Sequence, residues 1–358
     1  MKSSARAAIT AGSIVLVAAI ALTFRTLNAF GVFTEVTPGF AGFCTSIPGI
    51  VGPEDIAIDD KLAVAFISAT DRRAKRSGKP AAQDGLYVLA LGGAETLTKL
   101  AGTPRDFHPH GISLYRAANG ELTLMAINHR MDGTSSIETF AVIAGGGSVA
   151  LRETGSIEGG QLVSPNAIAA VDRERFYVTN DHTSTSDFGR TLDDLLVLPR
   201  ANILYFDGTV FRVVASRLNF PSGLALAPDG RFVYVSEAFE RRLTTYIRSP
   251  LSGSLDPAGT LAIASNLDNL RFDAGGDLWV GSHPKAFAMA AYRSDPAKPA
   301  PSEIFRVSLT GGIPQRALLI YANSGKQIGG ASVAAATDHR LLIGSPLDNK
   351  VVDCRIVH

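Results

Sequence analysis

Six short apolar runs recur along the chain, each entered through a turn and each ending in polar residues. Asp59-Asp60-Lys61 leads into AVAFISA, Asn119-Gly120-Glu121 into LTLMAINH, and Arg173-Glu174-Arg175 into FYVTNDH. Asp229-Gly230-Arg231 leads into FVYVSEA, Gly275-Gly276-Asp277 into LWVGSHP, and Asp338-His339-Arg340 into LLIGSPLDN. Asp-Gly or Asn-Gly before β-branched and aromatic residues is a hairpin signal. Upstream of each turn lies a second apolar run: EDIAI, HGISL, NAIAA, SGLAL, DNLRF and GASVA. Each repeat therefore opens with a hairpin.

The heads of the upstream runs are Glu54, His110, Asn166, Ser222, Asp268 and about Gly330, spaced 56, 56, 56, 46 and 62 residues apart. Four-stranded propeller blades run ~40–50 residues before loop additions. The spacing predicts an all-β, six-bladed β-propeller; a β-sandwich with accidental periodicity is the alternative.

Before the first repeat the pattern changes. Lys2 and Arg6 precede an apolar run from Ala7 to Leu22 that closes at Arg25. This is the layout of an export signal, with Ala19-Ile20-Ala21 as a small-residue cleavage site. The run also nearly reaches the ~20 residues of a spanning helix. Residues 1–24 are therefore a signal peptide or a signal-anchor helix, with a buried core helix as a third reading, and residues 25–358 are the propeller. Either export reading places the propeller outside the cytoplasm, secreted or membrane-anchored.

Composition sharpens this picture. The 358 residues include 35 Gly and 18 Pro, an excess of turn-formers that the hairpins of one ring of six repeats would use. Removing 24 residues leaves 334, and 334/6 is about 56, the recurring spacing. A hydrophobic share of 46% excludes disorder. The 34 basic and 33 acidic residues leave no cationic surplus for nucleic acid. Export permits a disulfide, and two cysteines allow one pairing, Cys44 with Cys354, which would clasp the two ends of a ring. Two unconnected buried thiols are the alternative.

In a propeller hairpin, the start of the first strand and the end of the second meet at one face. That face would gather Glu54, Asp55, His110, Asn166, Ser222, Asp268 and Asn269 from the heads. The tails would add Asn128-His129, Asn180-Asp181-His182, Glu237 and Ser282-His283. Carboxylates and amides converging from separate blades form a hard-oxygen cage suited to Ca²⁺ rather than Zn²⁺. A hydrogen-bonded polar plug is the bland alternative. Among the histidines, His108, His182 and His283 read as structural. His110 sits at a cage position and His129 closes the same hairpin, so the two can pair and deprotonate a water.

The segments GPEDIAI, FHPHGISLY, INH, FYVTNDH, APDGRFVYVSE, NLDNL, GDLWVGSHP and LLIGS, in order, resemble the paraoxonase/arylesterase family of calcium-dependent lactonases. The similarity runs from about Arg25 to Cys354. It implies a six-bladed propeller with a catalytic and a buried structural calcium. By motif, Glu54, Asn166, Asp268 and Asn269 match catalytic-calcium ligands, and Asp55 with the carbonyl of Ile112 matches the structural site. His110 and His129 match the histidine dyad, Asp181 a further active-site acid, and Cys44 with Cys354 the end-joining disulfide. The family's retained helix favours a membrane anchor.

Two positions depart from the family. Ser222 stands where an Asn ligand is usual, and a hydroxyl is the weaker calcium donor. Ala167 stands where the structural site has an Asp, so that second site is expected to be weak or water-filled, with Asp55 serving as a hydrogen-bond anchor. The polar segment from Asp71 to Gly85 reads as a solvated loop, a lid, or a patch drawn to anionic lipid. The stretch from Asp187 to Arg200 reads as a short amphipathic helix facing core or membrane.

The function expected is calcium-dependent hydrolysis of lactones and aryl esters, with Asp268 as an alternative base or nucleophile. The expected partners are a small ester substrate and a lipid surface. The alternatives are a related calcium propeller hydrolase acting on phosphotriesters or sugar lactones, and a non-enzymatic propeller that binds a ligand or partner.

Overall fold

The structure, a computed structural model, describes residues 2–79, 81–92 and 96–356. Six antiparallel sheets form the blades of a propeller. Their innermost strands are Pro53–Asp59, Pro109–Arg116, Pro165–Ala170, Pro221–Leu226, Leu267–Phe272 and Val333–Ala336. Each contacts the next, and the last contacts the first, which closes the ring. All six hairpins of the sequence repeat are present. The sixth first strand begins at Val333, so its head is Ser332 rather than Gly330.

Closure uses the chain's start. Strand Gly42–Pro48 pairs with the final strand, Lys350–Ile356, and Cys44 lies opposite Cys354, to which it is disulfide-bonded. Just before it, Gly39–Phe40 adds an outer strand to the fifth blade. The start of the chain thus edges two blades, and blade six is completed by residues about 300 positions apart in sequence. Apolar clusters fill the gaps between blades: Phe66 and Leu86 of the first pack with Leu124 and Phe140 of the second, all fully buried. Each such side chain contributes roughly 1.5–3 kcal/mol.

One local device places the site. Pro53, Pro109, Pro165 and Pro221 recur at intervals of 56 and start their strands, where a missing N–H is tolerated. Directly after each, and after Leu267, the register with the second strand shifts. Such a bulge re-aims a side chain. The first residue inside each bulge is Glu54, His110, Asn166, Ser222 or Asp268. Close blade contact explains two glycines there: a Cβ at Gly111 would lie 2.5 Å from the Asn166 carbonyl oxygen, and one at Gly223 2.2 Å from that of Asp268.

Among the described residues, four helices decorate this frame. The first, α1 (Lys2–Ala29), continues past residue 24, the expected domain border. Its last turns dock on the propeller: Arg25 bonds the Val197 carbonyl and Glu240, Thr26 bonds the Leu195 carbonyl, and Phe30 stacks on Phe239. Upstream, Ile14, Val15, Leu16, Val17 and Ile20 are exposed, which excludes the buried-core reading. The others, α2 (Arg72–Arg76), α3 (Asp187–Leu195) and α4 (Ala286–Ser294), follow the second strands of blades one, three and five.

Candidate active site

The bulged heads open into a cavity of about 660 Å³ at one end of the channel, roofed by α2, α3 and α4. Glu54, His110, Asn166, Asp181 and Asp268 all line it. Asn269 lies behind, donating its amide to Oε1 of Glu54 at 2.7 Å. Ser222 does not face the cavity; its hydroxyl donates to the Leu267 carbonyl at 2.8 Å.

The second-strand tails divide by strand alternation. Asn128, Asn180, Glu237 and Ser282 oppose the first residue of their partner strands. These four fasten loops of their own blades: Asn128 accepts from the His108 amide, Asn180 from that of Ser164, Glu237 from that of Asn219 and from Arg242, and Ser282 from the Ser265 hydroxyl. Expected at the channel mouth, they sit behind it. The next residue along, His129, Asp181 or His283, reaches the interior side, because successive side chains point to opposite faces.

The cage has unanswered oxygens. Oε2 of Glu54 and Oδ1 of Asn166 are sealed from solvent with no hydrogen-bond partner. Burial works against a charged Glu54, yet His110, Arg72 and Asn269 hold its carboxyl down at about 2. Burial, reinforced by the charges of Glu54 and Asp55, pushes Asp268 well above the usual carboxylate range. Two acids crowded in a dry site with spare oxygens are the surroundings a hard cation relieves. Among the described residues no three His, Cys, Asp or Glu side chains converge as a metal set. The cage instead mixes two carboxylates with two amides, a composition that fits Ca²⁺.

Beside it, Nδ1 of His110 lies 2.9 Å from Nε2 of His129, whose Nδ1 lies 3.0 Å from Oγ of Ser135. Nε2 of His110 faces Oε1 of Glu54 at 3.4 Å. Burial, His110 and the cations Lys75 and Arg72 hold His129 well below the usual imidazole range, so it is neutral at neutral pH. A second chain crosses the site. Asp181 accepts from Ser164 at 2.5 Å and from the Asn166 amide at 2.9 Å, which turns Oδ1 of Asn166 away from it. His182 stands between Asp181 and Asp194, 2.9 Å from each, and despite burial these acids raise it to about 9.

Deeper in the channel, Asp55 accepts from the amides of Ile56 and Ile112, both at 2.9 Å. The guanidinium of Arg271 fills the space between its carboxylate and the Ile112 carbonyl, at 2.5 and 2.9 Å, and also reaches the Ile56 carbonyl at 2.7 Å. Burial still raises Asp55 to about 6 against that pull. These residues do not fit a second calcium, because a cation of the chain's own stands there and Ala167 offers no oxygen.

Several lining residues escaped the sequence reading. The segment after Asp71 is bonded over the cavity: Arg73 donates to the carbonyls of Leu347 and Tyr292, Lys75 to that of His129. It is a roof rather than a free loop, and Arg72 and Arg76 line the cavity with Arg190 and Arg293. His283 faces Asp268, Nδ1 to Oδ2 3.6 Å, with that nitrogen buried and unpartnered; burial lowers it to about 4. Of the other histidines, His108 is held by Asp84 and Asp106. The sequence groups His283 with the tails at the channel mouth, where it lies; nothing local marks Arg190 or Arg293.

The fold and site together define a closed six-bladed β-propeller with acids, amides and a histidine pair at one channel mouth. The arylesterase family model matches residues 28–355. Serum paraoxonase/arylesterase 1 of Rattus norvegicus is 31% identical over 89% of this chain and 90% of its own length. Serum paraoxonase/arylesterase 2 of Homo sapiens is 30% identical over 70% and 69%. Among solved structures, a luciferin-regenerating enzyme superposes with TM-score 0.54 at 12% identity, covering 88% of this chain and 95% of its own. A glucose dehydrogenase superposes with TM-score 0.54 at 11% identity, covering 88% and 99%; both likenesses concern the fold. The chain belongs to the arylesterase family.

Proposed function

We propose that this protein hydrolyses lactones and aryl esters at the cavity described above, with one Ca²⁺ held by Glu54, Asn166, Asp268 and Asn269. The observation that carries the reading is the pair of orphaned buried oxygens, on Glu54 and Asn166, next to the His110–His129 pair. A bound Ca²⁺ supplies Lewis-acid polarisation of the ester carbonyl and stabilises charge developing on its oxygen.

The chain's residues divide the remaining work. With Nδ1–H of His129 donating to Ser135, its Nε2 accepts from Nδ1–H of His110. Nε2 of His110, beside Oε1 of Glu54 at 3.4 Å, is then the ring nitrogen on the cavity side and, when unprotonated, the base for an attacking water. His129 is a positioning residue that fixes this tautomer. Asp181 orients Asn166, and Asp268 faces the reacting volume. The roof helices exclude bulk water. No second calcium enters this reading, since Arg271 occupies its place.

The test is lactone and aryl-ester hydrolysis with and without chelator in the parent, Asp268→Asn and His110→Gln. Chelator and each substitution are expected to abolish or strongly reduce turnover; full activity in Asp268→Asn would falsify the calcium-centred reading.

The same proposal places the chain outside the cytoplasm on a lipid surface, with α1 as an uncleaved anchor. The disulfide supports an oxidising compartment. The segment Gly12–Ala29 is long and apolar enough to span, and Phe188, Leu192 and Leu195 of α3 are exposed beside its docked end. Mass analysis of the mature protein in the membrane fraction tests this: a terminus beginning after Ala21 rules the anchor out.

A further inference from the structure

The roof over the cage carries cations that feel the acids below at a distance but are hydrogen-bonded to none of them. Arg72 and Arg76 stand one turn apart on α2 and Arg293 on α4, and all three line the cavity. Among the described residues none of the three is held by a hydrogen bond or ion pair, and Nη1 of Arg72 is sealed from solvent without a partner.

Arg73, between them, explains why they stay together. It donates to the Tyr292 carbonyl at 2.6 Å and the Leu347 carbonyl at 2.5 Å, and lies 4.7 Å from the centre of the Tyr292 ring. It thus ties α2 to α4 and holds three like charges on one wall. That arrangement is costly by itself: burial and the charges of Arg72 and Arg76 push Arg293 below its ordinary value.

The acids in the same cavity offset this only in part: Glu54 and Asp268 act on Arg72, and Asp181 and Asp194 on Arg293, yet both arginines stay below their ordinary values. Asp181 and Asp194 are engaged by His182, and Glu54 and Asp268 belong to the cage. Arg190, the fourth arginine, is spent on the Ser184 and Val163 carbonyls. Asp187 remains, exposed at the start of α3. Unpaired guanidiniums facing a cavity are forks for a carboxylate or phosphate, which they bind bidentately.

We propose that the ester this site takes carries an anionic oxygen group, carboxylate or phosphate, held by Arg72, Arg76 and Arg293 while its carbonyl lies at the cage. This rests on the hydrolase reading above for the reaction, but the anion site itself does not. An anionic tail bound by the roof would orient the scissile group toward His110, and a neutral ester of the same shape would lack that hold.

Two measurements on the full, calcium-loaded chain separate the claims. In the first, calorimetry follows binding of hexanoate, hexyl phosphate and hexanamide to the parent, Arg76→Gln, Arg293→Gln and Arg293→Lys. The expected result is at least about tenfold tighter binding of one or both anions than of the amide. Each Gln variant should lose about tenfold for the anion, with partial recovery in Arg293→Lys. The relative strength of the two anions identifies the group. Anion and amide binding alike, or anion binding unmoved by both Gln substitutions, overturns the proposal. In the second, kcat/KM is compared for a γ-lactone bearing a carboxylate-ended side chain and for its primary amide. Hydrolysis of both at equal rates keeps the hydrolase and removes the anion site; anion binding with hydrolysis of neither keeps the site and removes the hydrolase.

Discussion

Nη2 of Arg271 donates to Oδ2 of Asp55 at 2.5 Å, joining the first and fifth blades across 216 residues of sequence. Its guanidinium also holds the carbonyls of Ile56 and Ile112, so one side chain links three innermost strands. Removing one partner of a buried pair leaves an uncompensated charge, at roughly 3–5 kcal/mol.

The channel is therefore expected to bind a single calcium per chain. Metal analysis after dialysis should give one ion for the parent. Ala167→Asp combined with Arg271→Ser restores an acid and vacates the space, and should raise the count toward two. A count of two in the parent would contradict the assignment.

Asp181 turns the Asn166 amide so that its oxygen faces the cavity. Asp181→Asn removes that acceptor charge and should weaken calcium binding about 10–100-fold, as losses of outer partners do at metal sites. Equilibrium titration of calcium reads this without any substrate, and unchanged affinity would remove Asp181 from the positioning role.

His182 supplies a pH dependence of known sign. Its folded value, about 9, lies above the ordinary imidazole value of 6.5, so the folded state binds its proton more tightly than the unfolded state. That stabilisation is complete below about 6.5 and is lost as pH rises through about 9. The Tm difference between the parent and His182→Gln should shrink between about pH 7 and 10; a difference that grows over that range would reverse the assignment.

The bridge between Cys44 and Cys354 encloses 310 residues of separation. Chain entropy assigns so long a closure roughly 5–6 kcal/mol, and removing a native bridge typically costs about 2–5 kcal/mol. Paired Cys44→Ser and Cys354→Ser substitutions should lower the urea midpoint by a corresponding amount, and reductant should then have no further effect.

Much of this was legible locally. Hairpins are written in neighbouring residues, so the six turns and the paired apolar runs fix the blade number and most of the inward heads, Ser222 being turned away to the Leu267 carbonyl. The sixth head was misplaced because blade six has no bulge-forming Pro or Leu before Ser332. Tails such as Glu237 were expected at the mouth because residue type was weighed above strand alternation, and alternation decides which of two adjacent polar residues faces the channel. Arg271 carries no local mark of its role, since the partner it binds, Asp55, lies 216 residues away.

By itself, then, the sequence determined the propeller, its clasp of two cysteines and the set of polar heads, because strand pairing within a hairpin and the spacing of repeats are short-range properties. Tertiary structure alone decided that Arg271 takes a cation's place, that His283 faces Asp268, and that three arginines roof the cavity. Those relationships join residues from different blades and helices, and only closing the ring brings their charges within reach of one another.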